Sequence, residues 1–317
     1  MKWVSYYDTR NNVRGGLIFR HHVVDLALLL DSPTTTGGVQ LLDIIHSVQE
    51  RASIYRVVER MSKWAEQEWE GWKADHQAQV IPFDQVSLAA PLPVPHSFRD
   101  FYAFEAHVKT CRGKRGLDMV DQWYAAPAFY FSNHQSITGP NTEITFPRLS
   151  KKRDYELEIG IVIGKEGRNI TRDQAFDYVF GLTIINDWSA RDIQAEEVKV
   201  GLGPAKGKDF STSVGPFLVS ADEWRDRLTG EQIDLSMEAY INDKKQSSGN
   251  LNQLYFSIPQ LVEQASKDCT LFPGDLLGTG TVGTGCLLEQ EEPTWLQSGD
   301  RVALKVERLG VLTNTIK

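Results

Sequence analysis

The chain of 317 residues reads as an α+β, β-rich fold with a smaller α/β region at its N-terminus. Three observations lead there. After the first third of the chain, short runs rich in β-branched and aromatic residues, punctuated by Gly, Asn and Asp, dominate. They do not alternate regularly with helices, which argues against a parallel doubly wound sheet. The stretch "AAPLPVPHS" (89–97) carries three prolines and interrupts helix and strand alike. It divides a small N-terminal α/β region, residues 1–90, from a main domain, residues 91–317.

In chain order, "KWVSYYD" and "VRGGLIF" read as a short hairpin. Residues 40–69 read as helix, with Leu41, Ile45, Val48, Ile54, Val58, Met61 and Trp64 keeping one face apolar. Strands are expected at "AFYFS", "ELEIGIVIG", "YVFGLTIIND", "SVGPFLVS", "LSMEAYIND", "DLLGTGTVG" and "DRVALKVERLGVLTNTI". Helical pieces are expected at about 172–180 and at "SIPQLVEQAS". In "YELEIGIVIG" (155–164), Leu157, Ile159, Ile161 and Ile163 point one way, and Glu156 and Glu158 the other. The apolar run "VFGLTII" predicts a buried strand. Directly after it, "NDWSARDIQ" crowds Asn186, Asp187, Arg191, Asp192 and Gln194 where charge must be paired, metal-bound or solvated. Trp188 and Ile193 between them read as core, and Asp192 as a structural partner of nearby backbone or a cation.

Composition narrows the functional classes. A net charge of −8, 41% hydrophobic and 24% charged residues describe an ordinary globular protein. An acidic chain without a basic cluster is a poor partner for nucleic acid or an anionic membrane. No apolar stretch approaches the ~18 residues of a membrane span, and "MKWVSYYDTR" lacks the layout of a signal peptide. Cys111, Cys269 and Cys286 are few and lack CxxC spacing, which fits a reducing cytoplasmic setting and argues against structural zinc.

Four stretches carry chemistry. Glu156 and Glu158 repel each other on one strand face, and a cation would relieve that. Oxygen donors suit a hard ion such as Mg²⁺ or Ca²⁺, and Asp187 at the end of the next strand is the obvious third. In "DFYAFEAHV" (100–108), Asp100 offers a fourth carboxylate, and His107 is either structural or a general base beside a metal-bound substrate. "GLGPAKGKDFST" (201–212) lacks the Walker spacing, because Leu202 and Asp209 occupy the places of Gly and Ser/Thr. It leaves Lys208 and Thr212 on an expected flexible loop. "GTGTVG" (278–283) matches GxGxxG but opens no helix, so it reads as a Gly-rich turn that lets backbone approach a ligand. Glu289 follows on an expected "CLLE" strand, either solvated or orienting a histidine.

Together "NDWSARDIQ", "YELEIG", "GKDFSTSVGPFLV" and "GDLLGTGTVG…CLLE" resemble the fumarylacetoacetate hydrolase family, from about Ser97 to Arg308. The resemblance implies a mixed β-sheet roll or barrel around a divalent cation (Mg²⁺ or Ca²⁺, or Mn²⁺) and a homodimer. It implies a small-molecule 2-oxo or 1,3-diketo acid substrate whose C–C bond is hydrolysed to two carboxylic acids. An alternative on the same scaffold is a lyase of the oxaloacetate decarboxylase or 2-oxo-hept-3-ene-1,7-dioate hydratase type. By position, Asp100, Glu156, Glu158 and Asp187 would be metal ligands. His107 would be the base and Glu289 its partner, with Arg191, Gln194 and Lys208 stabilising charge. Thr212 and Thr281 match positions lining the metal pocket, Tyr102 matches a substrate-contacting tyrosine, and Tyr130 is a further candidate contact. "FYFSNH" (129–134) departs from the family's "GYHGR", and the N-terminal ~90 residues are more helical than the small barrel of full-length members.

Overall fold

The computed structural model describes residues 1–30, 38–47 and 69–317. Its main sheet is built from strands β1 (Lys2–Tyr7), β2 (Val13–Phe19), β3 (His22–Asp25), β4 (Val80–Pro82), β5 (Phe98–Phe101), β6 (Phe129–Phe131), β7 (Leu157–Ile163), β8 (Val179–Asp187), β9 (Thr212–Ser220) and β10 (Leu276–Gly278). Their spatial order is β4-β3-β2-β1-β9-β8-β7-β10-β5-β6. Most neighbours are antiparallel, but β10 and β5 run parallel, so the sheet is mixed. A second sheet orders strands 244–250, 236–241, 301–306, 310–316 and 143–144 side by side. Ile159 and Ile184 of the first sheet share one core with Leu304 and Leu312 of the second. The result is the expected strand-rich α+β architecture.

The alternation in β7 holds. Leu157, Ile159, Ile161 and Ile163 are all fully buried in that core. The opposite face is also covered, so Glu158 is only 1% exposed rather than solvated. Trp188, just past β8, is fully buried, and its Nε1 donates to Ser213 Oγ at 2.8 Å. Ile193 is half-buried against the same core.

β1 and β2 pair as the expected hairpin, and β1 also pairs with β9 (Lys2 opposite Val219, Trp3 opposite Leu218). Trp3, Leu17 and Leu26 therefore pack with Val162, Ile185 and Val214. A boundary at residue 90 crosses a shared sheet and a shared core. Helix α1 (Leu41–Ser47) lies at the start of the expected 40–69 helix, and α2 (Trp69–Asp75) begins at its last residue and runs beyond it. Val48, Ile54, Val58, Met61 and Trp64 lie outside the described residues. Further helices that bear on the site or the core are α3 (Glu105–Gly113), α4 (Arg191–Glu197) and α5 (Ile258–Ser266). The expected helix near 172–180 is a run of 3₁₀ turns over Arg172–Tyr178. Among the described residues, no helix is long and apolar enough to cross a membrane.

Candidate active site

Antiparallel pairing of β7 and β8 brings the start of one strand beside the end of the other, with Leu157 opposite Asn186. This places Glu156 and Glu158 next to Asp187. The Asn186 carboxamide accepts from Glu156 N at 3.0 Å, and Asp187 N donates to Glu156 O at 3.2 Å. From the other side, β5 lies parallel to β10 and sets Asp100 beside Gly278. A Cβ on Gly278 would sit 2.3 Å from Asp100 Oδ1 and 3.2 Å from Glu158 Oε2, so only glycine lets these carboxylates approach.

Asp100, Glu158 and Asp187 each direct a carboxylate oxygen to within 4.8 Å of the others, and all three are buried. Asp100 Oδ1 and Asp187 Oδ1 have no hydrogen-bond partner. Burial raises the Asp100 and Glu158 carboxyls well above the ordinary range, and the charges of neighbouring carboxylates add to this. Hard oxygens, orphaned and mutually repelling, fit a divalent cation. Lining threonine and glycine hold the arrangement: Thr281 Oγ1 donates to Glu158 Oε1 at 3.2 Å, and Gly280 N to Glu158 Oε2 at 3.1 Å. Gly280 does so at φ +80°, where a Cβ would also strike Phe101 O at 2.4 Å. The "GTGTVG" turn thus approaches a carboxylate through its backbone.

Glu156 stands outside the triad. Arg191 Nη2 donates to its Oε1 at 2.6 Å, and Lys208 Nζ donates to its Oε2. Burial alone would raise the Glu156 carboxyl, but Arg191, Lys208 and His107 outweigh it and hold it well below the usual range. Lys208 also donates to Asp187 Oδ2 at 2.5 Å. It is 4% exposed, which corrects its expected place on a flexible, solvated loop: the two carboxylates draw it inward. Burial opposes its charge, yet Asp187 and Glu156 raise its pKa above the ordinary lysine range.

His107 lies on α3, 3% exposed, with Nδ1 2.8 Å from Glu289 Oε1 and Nε2 3.9 Å from Glu156 Oε1. Burial disfavours the charged ring, but Cys286 and Glu289 outweigh it and push its pKa up to about 10. Glu289 ends a 3₁₀ turn, Leu287–Glu289, which corrects the expected "CLLE" strand. The turn forms because Leu287 N and Leu288 N donate to Asp154, at 2.8 and 3.0 Å, instead of to a strand. Thr284 N fixes the other Glu289 oxygen at 2.9 Å.

Asp154 is the residue that sequence reasoning missed. It is fully buried and receives Arg191 Nε at 2.8 Å on the oxygen that Leu288 N also donates to. Arg191 therefore links the Glu289 turn to Glu156, and its Nη1 donates to Gln194 Oε1 at 3.1 Å. The signal was present: Asp154, Glu156 and Glu158 repeat at the period of two that marks one strand face. Asp192 accepts from Ser150 Oγ at 2.8 Å and from Lys151 N at 2.6 Å, so its partners are structural.

A cavity of about 470 Å³ opens onto this centre. Tyr102, Tyr130, Gln194 and Thr281 line it together with the charged residues. Tyr130 OH donates to Asp187 Oδ2 at 2.8 Å. Thr212 does not line the cavity. It is fully buried, paired opposite Asp187 in the sheet, with Oγ1 unpartnered, so its place is behind Asp187 and not in the cavity.

Two outcomes follow from the triad. Gly278→Ala is expected to weaken divalent-ion binding by about 10- to 100-fold, the range for losing a group that orients a ligand; isothermal titration with Mg²⁺ or Mn²⁺ measures it. In ion-free protein, the raised pKa values of Asp100 and Glu158 stabilise the fold below the ordinary carboxylate pKa. That stability is lost as pH rises through their folded values. The thermal stabilisation gained on adding a divalent ion should therefore grow as pH rises above the ordinary carboxylate range.

Comparison with known proteins places the chain in a family. Oxaloacetate tautomerase YisK of Bacillus subtilis (strain 168) is 36% identical over 248 residues, which cover 75% of each chain. A 2,4-didehydro-3-deoxy-L-rhamnonate hydrolase of Sphingomonas sp. (strain SKA58) is 35% identical over 58% of this chain and 62% of its own. The crystal structure of maleylpyruvate hydrolase from Sphingobium sp. SYK-6, in complex with manganese (II) ion and pyruvate, has the same fold, with TM-score 0.72 and 21% identity over 100% of this chain and 98% of that one. The family model described as fumarylacetoacetate (FAA) hydrolase C-terminal matches residues 96–317, and with it the chain belongs to the fumarylacetoacetate hydrolase family.

Proposed function

We propose that the protein is a divalent-metal-dependent hydrolase that cleaves a C–C bond of a 1,3-diketo acid to give two carboxylic acids. The observation that carries this reading is the His107–Glu289 pair, 2.8 Å apart, beside a triad of hard oxygen donors at one cavity. Asp100, Glu158 and Asp187 would hold the ion, with Glu156 adjacent. Bound there, a divalent ion supplies Lewis-acid polarisation of substrate oxygens and a positive potential that disfavours a second charge on the nearby imidazole.

The chain's own groups do the rest. Glu289 accepts the Nδ1 proton of His107 and fixes the tautomer, which leaves Nε2 to take a proton from water. The hydroxide adds to the distal carbonyl. The C–C bond then breaks, its electron pair leaves as an enolate, and the proton held on His107 is returned to that carbon. Lys208 and Gln194 line the cavity and face the developing charge, each such donor contributing about 3 kcal/mol. Arg191 acts through Glu156 and Gln194, which its guanidinium holds in place. Lys114 and Arg115, exposed residues lining the same cavity, suit an anionic distal group on the substrate.

A second reading is favoured by the Bacillus relative: tautomerisation of oxaloacetate, in which the same pair moves a proton between carbon and oxygen without water adding. A panel of acylpyruvates and oxaloacetate, with Mg²⁺, Mn²⁺ and Ca²⁺, separates the two. Release of two acids supports hydrolysis. Keto–enol interconversion with the carbon skeleton intact, and no cleavage of any diketo acid, overturns it.

A further inference from the structure

A second set of donors surrounds the His107 ring, chemically unlike the carboxylate triad. Cys111 follows His107 by one helical turn on α3, so the two share a face. Cys286 precedes the turn that carries Glu289. His107, Cys111 and Cys286 each offer a ligand atom within 4.8 Å of the other two, and all three are buried. Cys111 Sγ lies 3.8 Å from either ring nitrogen. Cys286 Sγ lies 3.6 Å from Glu289 Oε1, which is itself 2.8 Å from His107 Nδ1. The sequence spacing of the cysteines suggested no metal site because the fold, not the local motif, brings them together.

We propose that His107, Cys111 and Cys286 form a second metal site, selective for a thiophilic divalent ion of the Zn²⁺ class. Two sulfurs and a nitrogen are a soft donor set, whereas the triad offers oxygen alone. Tetrahedral zinc has Zn–S near 2.3 Å and Zn–N near 2.0–2.1 Å, which places its donor atoms roughly 3.3–3.8 Å apart. The sulfur–nitrogen separation of 3.8 Å between Cys111 and His107 lies at the upper end of that range. Binding involves no redox step: each thiol releases a proton to solvent and the thiolate takes its place on the ion. An ion seated there occupies His107 and withdraws it from water activation, a consequence that rests on the hydrolase reading above. Hard and soft ions would then act on one enzyme in opposite senses.

The test uses the full chain under reducing conditions, saturated with Mg²⁺ and given one equivalent of Zn²⁺. Zinc X-ray absorption on the wild-type protein is expected to show two sulfur neighbours at about 2.3 Å. Cys111→Ser and Cys286→Ser, each checked for folding by circular dichroism, should each lose one sulfur and bind Zn²⁺ at least about tenfold more weakly. An all-oxygen shell, as for zinc displacing Mg²⁺ on the triad, overturns the proposal, as does failure of Zn²⁺ to bind. Turnover is read separately. Zinc with two sulfur neighbours should lower Mg²⁺-supported turnover at least about tenfold, reversed by a chelator. Two sulfurs with turnover intact would uphold the site and overturn the base role of His107 instead.

Discussion

His107→Ala is expected to lose about 10²- to 10⁴-fold in turnover at saturating divalent ion, the range for removing a general base. Divalent-ion affinity should be almost unchanged, because His107 is not among the oxygen donors of the triad. Glu289→Gln should show a smaller defect of the same kind. A glutamine in that place keeps an acceptor toward Nδ1 but no longer stabilises the imidazolium formed when water gives up its proton. Steady-state kinetics together with calorimetric metal titration separates the two quantities. An unchanged rate in His107→Ala would remove this histidine from the chemistry.

The second large effect is at Arg191. Its guanidinium serves Asp154 through Nε and Glu156 through Nη2, both buried, and a lysine cannot serve two carboxylates in this planar geometry. Arg191→Lys is expected to destabilise the fold by about 3–5 kcal/mol, the cost of leaving a buried charge without its partner. Turnover should fall as well, with no rescue by extra metal. Asp187→Asn should behave in the opposite way. It keeps the shape of a ligand while reducing its charge, so it should weaken metal binding, and added metal should restore part of the activity. Metal titrations of turnover and of thermal unfolding on both variants check the pair. Rescue of Arg191→Lys but not of Asp187→Asn would show the two roles to be reversed.

The strands and the charge clusters at their ends were legible because they rest on local periodicity. β7 alternates visibly, β8 is a continuous apolar run, and the charge crowded after it had to be paired, metal-bound or solvated. What the sequence hid depends on distant pairing. Lys208 looked like a loop lysine because its two carboxylate partners are 52 and 21 residues away in the chain. "CLLE" looked extended because the groups that curl it, the Asp154 oxygens, lie more than a hundred residues earlier. Thr212 and Thr281 looked alike, yet only Thr281 reaches the cavity, since the sheet turns Thr212 behind Asp187. The cysteines showed no metal spacing because Cys111 and Cys286 meet only through the docking of α3 against the Glu289 turn.

Water activation by the His107–Glu289 pair is most directly tested by the fate of solvent oxygen. In ¹⁸O-labelled water, a single turnover of the best acylpyruvate should place one labelled oxygen in the carboxylic acid derived from the cleaved carbonyl, and His107→Ala should abolish that incorporation. Solvent hydrogen exchanging at the carbon between the two carbonyls, with no cleavage and no enzyme-dependent label in a product acid, would contradict the account and identify the chemistry as tautomerisation.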